Sequence, residues 1–330
     1  MTEWTDIDFV AISGAEVHLG RSVMVIGKEV LAIRGVESEP VPRFSEVRFE
    51  DGAHFRIELP SVEGPDVLRA VVEAADAAGV VINRVSQGSG AMLLSKSELA
   101  EMARIGADAG LEVSLFVGPR EEWDIGAVAR SHDGPTLAGR LRGVRQLRYA
   151  IDDVMRALEC GIRGFLVADS GLLELLRSMQ VAGEIPESVV WKVSAVLAPS
   201  NPLTFAQLAR LGGCTINVPA DVTLGQLFEM RSVSPIPIDL YVEAPDAMGG
   251  VVRGHEAADL IAVAAPMYVK FGLRNSVPLY PSGLHLLDEA MMIAREKVHR
   301  AGLALEWIED SGIELIQSKP GAKGLGVPEP

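Results

Sequence analysis

A lysine stands inside an apolar run in the C-terminal part of the chain. The run reads Met267-Tyr-Val-Lys-Phe271, and Arg274 follows Lys270 four residues later. A desolvated lysine can form a Schiff base with a carbonyl substrate, and a Lys with an Arg can instead hold a carboxylate. A structural ion pair with a neighbouring carboxylate is the third interpretation. We take Lys270 and Arg274 as candidates for holding an anion.

Polar and charged side chains recur where apolar runs end. Glu243 and Asp169 close two such runs, and a wall of Val and Ile around them and Lys270 would shift their pKa values into a range suited to acid–base catalysis. We therefore predict Glu243, Asp169 and Lys270 as catalytic residues. Any one of these side chains could equally cap a helix or pair with a neighbour. The predicted substrate-binding residues, at or just beyond the ends of the same kind of run, are Arg274, Asn201, Arg120, Asn217 and Gln87.

Other features carry a weaker chemical signal. His255 and Asp259 have the i, i+4 spacing that could bind a divalent metal with a nearby carboxylate, but a His at a helix start is more often solvated. We therefore predict no metal and no cofactor, with a divalent metal as the alternative. The segment Gln87-Gly-Ser-Gly90 could offer backbone amides to an anion. Lys192 stands early in its apolar run, and we interpret it as structural.

Short runs rich in Val and Ile alternate with segments of helical period over most of the chain. This alternation predicts a parallel sheet with crossover helices. Seven strands are clear, at residues 80–85, 112–117, 164–169, 189–197, 215–219, 238–243 and 267–271. An eighth strand would close a (β/α)8 TIM barrel, and it comes either from residues 55–59, which we favour, or from residues 303–307. In such a barrel the carboxyl ends of the strands face one mouth, where the residues above would converge.

We predict the barrel over residues 54–310, with a segment on either side. Residues 1–53 lack helical period and contain candidate strands at 23–26, 30–33 and 47–49, which predicts a small N-terminal β-rich extension. Residues 311–330 form a C-terminal tail that is rich in Gly and Pro and is interpreted as mobile from residue 318 onward. The stretch 119–142 is long for a loop between strand and helix and is predicted to be a lid or binding loop.

The composition excludes several classes of protein. With 48% hydrophobic residues and two cysteines in 330 residues, the chain is neither disordered nor stapled by disulfides. Its net charge of −15 argues against a nucleic-acid or membrane-surface partner, because no basic patch offsets it. The acidic N-terminus lacks a signal-peptide pattern, and no apolar run is long enough to span a bilayer. We expect a cytoplasmic protein in which Cys160 and Cys214 are free thiols.

Part of the chain resembles the U32 peptidase family. The stretch 152–230 is similar to that family's barrel core, and Val269-Lys-Phe-Gly-Leu-Arg274 looks like its Lys-Ile-Glu-Gly-Arg segment, with Lys270 and Arg274 at the charged positions. The resemblance implies a TIM barrel with hydrolase or peptidase-like chemistry. Typical members also carry a cysteine-rich motif after the strand that corresponds to residues 238–243, and several are similar to iron–sulfur proteins. Residues 243–250 contain no cysteine here, so no iron–sulfur cluster is expected.

Together these patterns predict an enzyme that acts on a small anionic or peptide-like substrate by acid–base chemistry at the mouth of the barrel. In this hypothesis Lys270 and Arg274 hold the anion, and Glu243 or Asp169 moves the proton. One alternative is an aldolase or lyase that uses Lys270 as a Schiff base. The other is a non-catalytic barrel that serves as a binding or assembly module, and formation of a homo-oligomer stays open.

Overall fold

Eight parallel strands form a closed barrel in the computed structural model, which describes residues 30, 32, 41–120, 123–124 and 139–330. Neighbouring strands in the barrel are consecutive in the chain, and the eighth pairs with the first to close the ring. The predicted (β/α)8 fold is confirmed. The strands are β1 (Phe55–Pro60), β2 (Arg84–Gln87), β3 (Glu112–Phe116), β4 (Gly164–Val167), β5 (Val190–Val193), β6 (Thr215–Asn217), β7 (Ile238–Glu243) and β8 (Met267–Phe271).

Within the described residues, one α-helix follows each strand. The helices are α1 (Pro65–Ala78), α2 (Lys96–Ala109), α3 (Gly143–Glu159), α4 (Ser170–Val181), α5 (Pro202–Arg210), α6 (Leu224–Val233), α7 (Ala257–Ala264) and α8 (Leu287–Asp310). Ser95 and Thr223 begin α2 and α6 with capping boxes, which satisfy backbone amides of the first turn. Gly110 has φ 61° just past α2, a left-handed conformation that favours glycine.

Residues 55–59, and not residues 303–307, supply the closing strand. Glu58 on β1 is in register with Arg84 on β2 and with Lys270 on β8. Residues 303–307 lie within α8. The favoured alternative is therefore confirmed, and the choice matters because it brings Glu58 between two cations.

The predicted strands of the N-terminal extension are described only in part. Residues 23–26 lie outside the described residues. Of residues 30–33 only Val30 and Ala32 are described, and the strand prediction is wrong at these two residues, because both have helical backbone. The strand predicted at residues 47–49 is also wrong, because that segment is not in strand conformation and pairs with no strand of the described residues.

The chain just before β1 contacts the end of the barrel at which the strands begin. The Ser45 amide donates to the carbonyl of Ala262 on α7 at 2.7 Å, and Phe49 packs edge-on against Tyr268 with 5.4 Å between ring centroids. The chain then turns at Gly52, whose φ of 82° requires the conformational freedom of glycine. This segment closes one side of the barrel's N-terminal end.

Along each strand, side chains point alternately outward, into the core between the strands and the helices, and inward, into the lumen of the barrel. Side chains that point outward are apolar and pack against the helices in a continuous hydrophobic core. They include Ile57, Leu59, Val85, Val113, Leu115, Phe165, Trp191, Ile216, Leu240 and Val269. Side chains that point into the barrel are largely polar or charged, and they form the site described below.

The C-terminal tail packs against the N-terminal end of the barrel. Ser318 is buried, and its amide donates to the carbonyl of Phe55 at 3.0 Å. The Gly321 amide donates to the carbonyl of Gly110 at 2.6 Å, and the Glu329 amide donates to the carbonyl of Gly161 at 2.8 Å. The interpretation of this segment as mobile is therefore wrong, because backbone hydrogen bonds hold a stretch that has few apolar side chains.

Arg231 on α6 ties together several chain ends at the same end of the barrel. Its guanidinium is buried and donates to the carbonyls of Ser234 and Ile236, each at 2.8 Å, and to those of Ala264 and Pro266 at 2.7 and 3.1 Å. Burial lowers the pKa of Arg231 to about 10. This cation therefore satisfies carbonyls that the ends of α6 and α7 leave without helical partners.

We expect Arg231→Met to lower the free energy of unfolding by about 3–5 kcal/mol, because it leaves those carbonyls without donors. Urea denaturation measures the loss. Arg210→Met, at an exposed position on α5, is the matched control and should change the stability by less than about 0.5 kcal/mol. Equal losses in the two variants would contradict the proposed role of Arg231.

Candidate functional site

Charged side chains fill the space along the barrel axis. Branched apolar residues dominate these positions in most barrels of this fold. Arg84 on β2 lies 3.2 Å from Thr215 on β6, and a contact between strands on opposite sides must cross the lumen. We call the buried ionisable residues of the lumen the charge cluster: Arg56, Glu58, Arg84, Glu112, Lys192, Asp239 and Lys270.

Arg84 joins carboxylates from three strands. Its Nη1 lies 3.3 Å from Glu58 Oε2 and 3.2 Å from Asp239 Oδ2, and its Nε lies 2.7 Å from Glu112 Oε1. The guanidinium also lies 3.5 Å from the ring centroid of Tyr268, within cation–π distance. One cation therefore fixes the relative positions of β1, β3 and β7 inside the lumen.

Two lysines from different strands share one oxygen of Glu58. Lys192 Nζ on β5 donates a hydrogen bond to Glu58 Oε1, and Lys270 Nζ on β8 lies 3.6 Å from the same oxygen. Ser86 Oγ donates to it as well, at 2.7 Å. The two amines are therefore close enough for the charge of one to disfavour protonation of the other.

The pKa values of Lys192 and Glu58 are both lowered, but for different reasons. Burial lowers the pKa of Lys192 to about 7, with help from the charges of Lys270 and Arg84 and against that of Glu58. Burial alone would raise the pKa of Glu58, but these three cations outweigh it and hold that pKa well below its usual range. Glu58 therefore stays ionised, while Lys192 can gain or lose a proton near neutral pH.

Lys270 is the lysine closer to the C-terminal mouth. Its Nζ donates to Oδ1 of Asn217, which lies two residues beyond Thr215, the register partner of Lys192. The amine also lies 4.0 Å from the ring centroid of Tyr241. The structure thus brings the predicted residues Lys270 and Asn217 together, with Lys192 and Glu58 beneath them. Lys270 is 2% exposed, so a ligand must displace part of its surroundings to touch it.

A carboxylate of the chain itself fills the predicted anion cradle after β2. Glu63 accepts the amides of Gly88 and Ser89 at 2.8 and 3.1 Å. Gln87 makes two hydrogen bonds with the backbone of Gly90, at 3.1 and 3.0 Å, so its side chain shapes this loop. Burial raises the pKa of Glu63. Beside the loop, a cavity of about 280 Å³ lies between the first turns of α1 and α2 and residues 282–284.

Tyr280, which follows β8, and Arg120, which follows β3, both contact this loop. The Tyr280 hydroxyl lies 2.6 Å from Ser61 Oγ, and its ring occupies the space where a Cβ on Gly88 would lie, 2.3 Å away. The Arg120 guanidinium stacks on Phe116 at 3.6 Å and donates to the carbonyl of Gly88. Gly88 therefore cannot carry a side chain, since the ring and the loop approach each other too closely.

Two of the predicted site residues cap helices. Asp169 precedes α4, where Oδ1 accepts the amide of Leu172 at 3.0 Å and Oδ2 accepts that of Leu141 at 3.2 Å. Asn201 precedes α5, and its Oδ1 accepts two amides of the first turn at 3.1 and 3.0 Å. Helix capping accounts for the Asn201 side chain and for Oδ1 of Asp169, while Oδ2 of Asp169 holds the segment before α3. The predicted lid at 119–142 lies largely outside the described residues.

Glu243 and Arg274 meet each other and do not meet the charge cluster through any hydrogen bond or ion pair among the described residues. Glu243 Oε1 accepts the amide of Arg274 at 3.0 Å, and Oε2 lies 3.8 Å from Nε of Arg300 on α8. The Arg274 side chain is exposed and lies 3.7 Å from Asp246 Oδ1. The structure therefore does not bring Arg274 and Lys270 to a common partner.

Glu112 and Asp239 are not among the residues predicted from the sequence, and Lys192 is interpreted there as structural. A usable signal is present, because each of these residues alternates with apolar residues along a strand. When the apolar set faces the helices, the charged residue between must face the lumen. Strand alternation therefore identifies the members of the cluster, although it leaves their partners unknown.

The described residues offer no grouping of three or more His, Cys, Asp or Glu side chains as metal ligands. The His255 side chain is exposed, and its Nε2 lies 3.7 Å from a carboxylate oxygen of Glu256. None of the helices in the described part of the chain combines the length and apolar character needed to cross a bilayer.

No protein-family model matches the chain, and no curated protein is significantly similar to it. Solved structures do match. CutC of Streptococcus agalactiae is 13% identical, over 66% of this chain and 99% of CutC, with a TM-score of 0.46. A U32 peptidase is 18% identical, over 69% of this chain and 83% of its own, with a TM-score of 0.38. The carboxyl transferase domain of Rhizobium etli pyruvate carboxylase is 11% identical, over 86% and 59%, with a TM-score of 0.42. These likenesses are of the TIM-barrel fold alone.

Lys297 on α8 is a further buried lysine beside the mouth. Its Nζ donates to the carbonyl of Pro60, at the end of β1, at 2.7 Å. Burial lowers its pKa to about 8, against the opposing charge of Glu63. An unfolded lysine has its pKa at 10.5, so the unfolded chain binds more protons than the folded chain between these two values. The free energy of unfolding must therefore rise with pH in this window.

We expect Lys297→Met to reduce the slope of the free energy of unfolding against pH. The reduction should correspond to at most about one bound proton. Urea denaturation at a series of pH values between about 7.5 and 10.5 measures this slope. The series begins just below the pKa of about 8 and ends at the pKa of an unfolded lysine, 10.5. Lys96→Met, at an exposed lysine of α2, should keep the wild-type slope. A wild-type slope in Lys297→Met would show that the amine is not held in its neutral form.

Proposed function

We propose that the protein is an enzyme that acts on a small carboxylate-bearing or peptide-like substrate at the C-terminal mouth of the barrel. Lys270 holds the anion, and the Glu58–Lys192 pair beneath it supplies the acid–base group. The observation that carries the proposal is that two buried lysines lie on one oxygen of Glu58. This keeps the substrate class suggested by the U32 resemblance. It moves the acid–base role away from Glu243 and Asp169, whose oxygens already accept backbone amides.

The free-energy cost of burying the charge cluster supports the view that the cluster serves a function. Burying charges costs several kcal/mol per ion, and well-packed apolar side chains of similar volume are often as stabilising or more so. Val and Ile would fill the lumen in the manner usual for this fold. A buried cluster of cations and carboxylates with a perturbed pKa at its centre is typical of a catalytic site.

The depth order of the two lysines suggests a division of labour. Lys270 is closer to the mouth and presents its amine beside the Asn217 amide, so an arriving carboxylate could take over its hydrogen bond. Lys192 lies one layer below, and with a pKa of about 7 it can accept or return a proton at neutral pH. Glu58 keeps its charge and stabilises whichever amine is protonated.

We expect Lys270→Met to weaken binding of small carboxylates at least about tenfold, because a charge-assisted hydrogen bond contributes roughly 1.5–3 kcal/mol. Calorimetric titration with acetate, succinate and glycylglycine measures the affinity at neutral pH. The control is Lys96→Met, which removes an exposed lysine from α2. If Lys270→Met binds these compounds as the wild type does, Lys270 does not hold the anion. If no carboxylate binds the wild type, the non-catalytic barrel is favoured.

Schiff-base chemistry is a second candidate, and the adjacency of the two lysines favours it. A neighbouring cation and a desolvated environment are the two conditions that make a lysine amine nucleophilic at neutral pH. In the first step the amine nitrogen would add to the carbonyl carbon of a keto acid. Water would then leave as the imine forms.

Sodium borohydride delivers hydride to an imine carbon and fixes the adduct as a stable secondary amine. After incubation with pyruvate and borohydride, we expect intact-mass analysis to show one added reduced pyruvyl group, located on Lys270 by peptide mapping. Lys270→Arg should lose the adduct, and Lys96→Arg should keep it. An adduct spread over exposed lysines, or none, would rule out this second candidate and leave the acid–base proposal standing.

A further inference from the structure

The C-terminal strap, residues 316–330, crosses the end of the barrel opposite the mouth. We infer that this strap positions the charge cluster from below, with Glu112 and Arg56 as positioning residues between the strap and the site. The inference rests on the proposed location of the site and not on the identity of the substrate.

The strap reaches the cluster at two points. The Gly326 amide donates to Glu112 Oε2 at 3.1 Å. Arg56 Nε donates to Ser318 Oγ at 2.9 Å, and its Nη2 donates to the carbonyl of Lys323 at 2.7 Å. Both Glu112 and Arg56 are buried in the lumen, so these strap groups replace water as their partners.

Glu112 depends on the strap for its orientation. Its Oε1 lies 2.7 Å from Arg84 Nε, but the two atoms meet as an ion pair without the alignment of a hydrogen bond. Among the described residues, the Gly326 amide is the one hydrogen-bond donor to the Glu112 carboxylate. An ion pair fixes a distance and a hydrogen bond fixes a direction, so the strap determines which way this carboxylate faces Arg84.

Arg84 carries this effect to the lysines. Its guanidinium forms ion pairs with Glu112, on the side of the strap, and with Glu58 and Asp239, on the side of the mouth. If Glu112 turns away or loses its charge, Arg84 keeps ion pairs with Glu58 and Asp239 only. It then competes with Lys192 for the Glu58 carboxylate. Protonated Lys192 then loses stabilisation, and its pKa must fall.

Glycine at position 326 is required by the close approach of the strap. A Cβ there would lie 2.9 Å from the carbonyl oxygen of Arg163 and 3.3 Å from Cβ of Val190, at the starts of β4 and β5. Gly326→Ala should therefore move this part of the strap away and withdraw its amide from Glu112. The anchor at Ser318 is distant in the strap and should remain.

The test is the titration of Lys192, followed by NMR of protein labelled with 13C at lysine Cε and assigned with Lys192→Arg. We expect Glu112→Gln to lower the titration midpoint by about half a pH unit or more, since a neighbouring charge shifts a buried pKa by that order. Gly326→Ala should shift it in the same direction. Glu329→Gln removes only a strap side chain that pairs with Arg163 near the surface and should leave the midpoint unchanged.

A wild-type midpoint in folded Gly326→Ala and folded Glu112→Gln would overturn the inference, because loss of stability alone does not move a native-state titration. If Glu112→Gln does not fold, Gly326→Ala decides alone: a lowered midpoint supports the inference and a wild-type midpoint overturns it. The titration is read without ligand, so absence of carboxylate binding would contradict the proposed function and leave this result intact.

Discussion

The Glu58 carboxylate is the contact on which the site depends. It accepts Lys192, lies 3.6 Å from Lys270 and 3.3 Å from Arg84, and so joins groups from β5, β8 and β2. The complete set of pairs requires the closed barrel, because Glu58 lies on the strand that pairs with both β2 and β8. Folding and assembly of the site are therefore the same event.

The division between two interiors explains how the fold tolerates this cluster. The apolar core lies between the strands and the helices, where outward-facing side chains exclude water from a large continuous region. That core supplies the stability that the lumen does not. Charges can then occupy the axis, provided that each finds a partner of opposite sign. Arg84 meets this condition for Glu58, Glu112 and Asp239 at once.

The periodicity of the sequence predicts the barrel and its closing strand, because these depend on the local hydrophobic pattern. It does not predict which polar side chains meet. Asp169 and Asn201 end apolar runs as Asn217 does, yet the first two cap helices and the third binds Lys270. The difference lies in which way each side chain points relative to the lumen, and that is set by register between strands distant in sequence. The prediction of a mobile tail fails for a related reason, since backbone hydrogen bonds attach it and these leave no hydrophobic pattern in the sequence.

The two ends of the barrel therefore carry different tasks. At the N-terminal end, Phe49, Tyr268 and the strap close the lumen and leave its charged groups with protein partners. At the C-terminal end, Lys270 is 2% exposed, and side-chain contacts of Tyr280, Arg120 and Ser89 hold the loops around Gly88. In the proposed function, protons and ligands therefore reach the lumen through the mouth. On that proposal the lysine nearer the mouth meets the substrate first, and the lysine beneath it exchanges its proton along the same path.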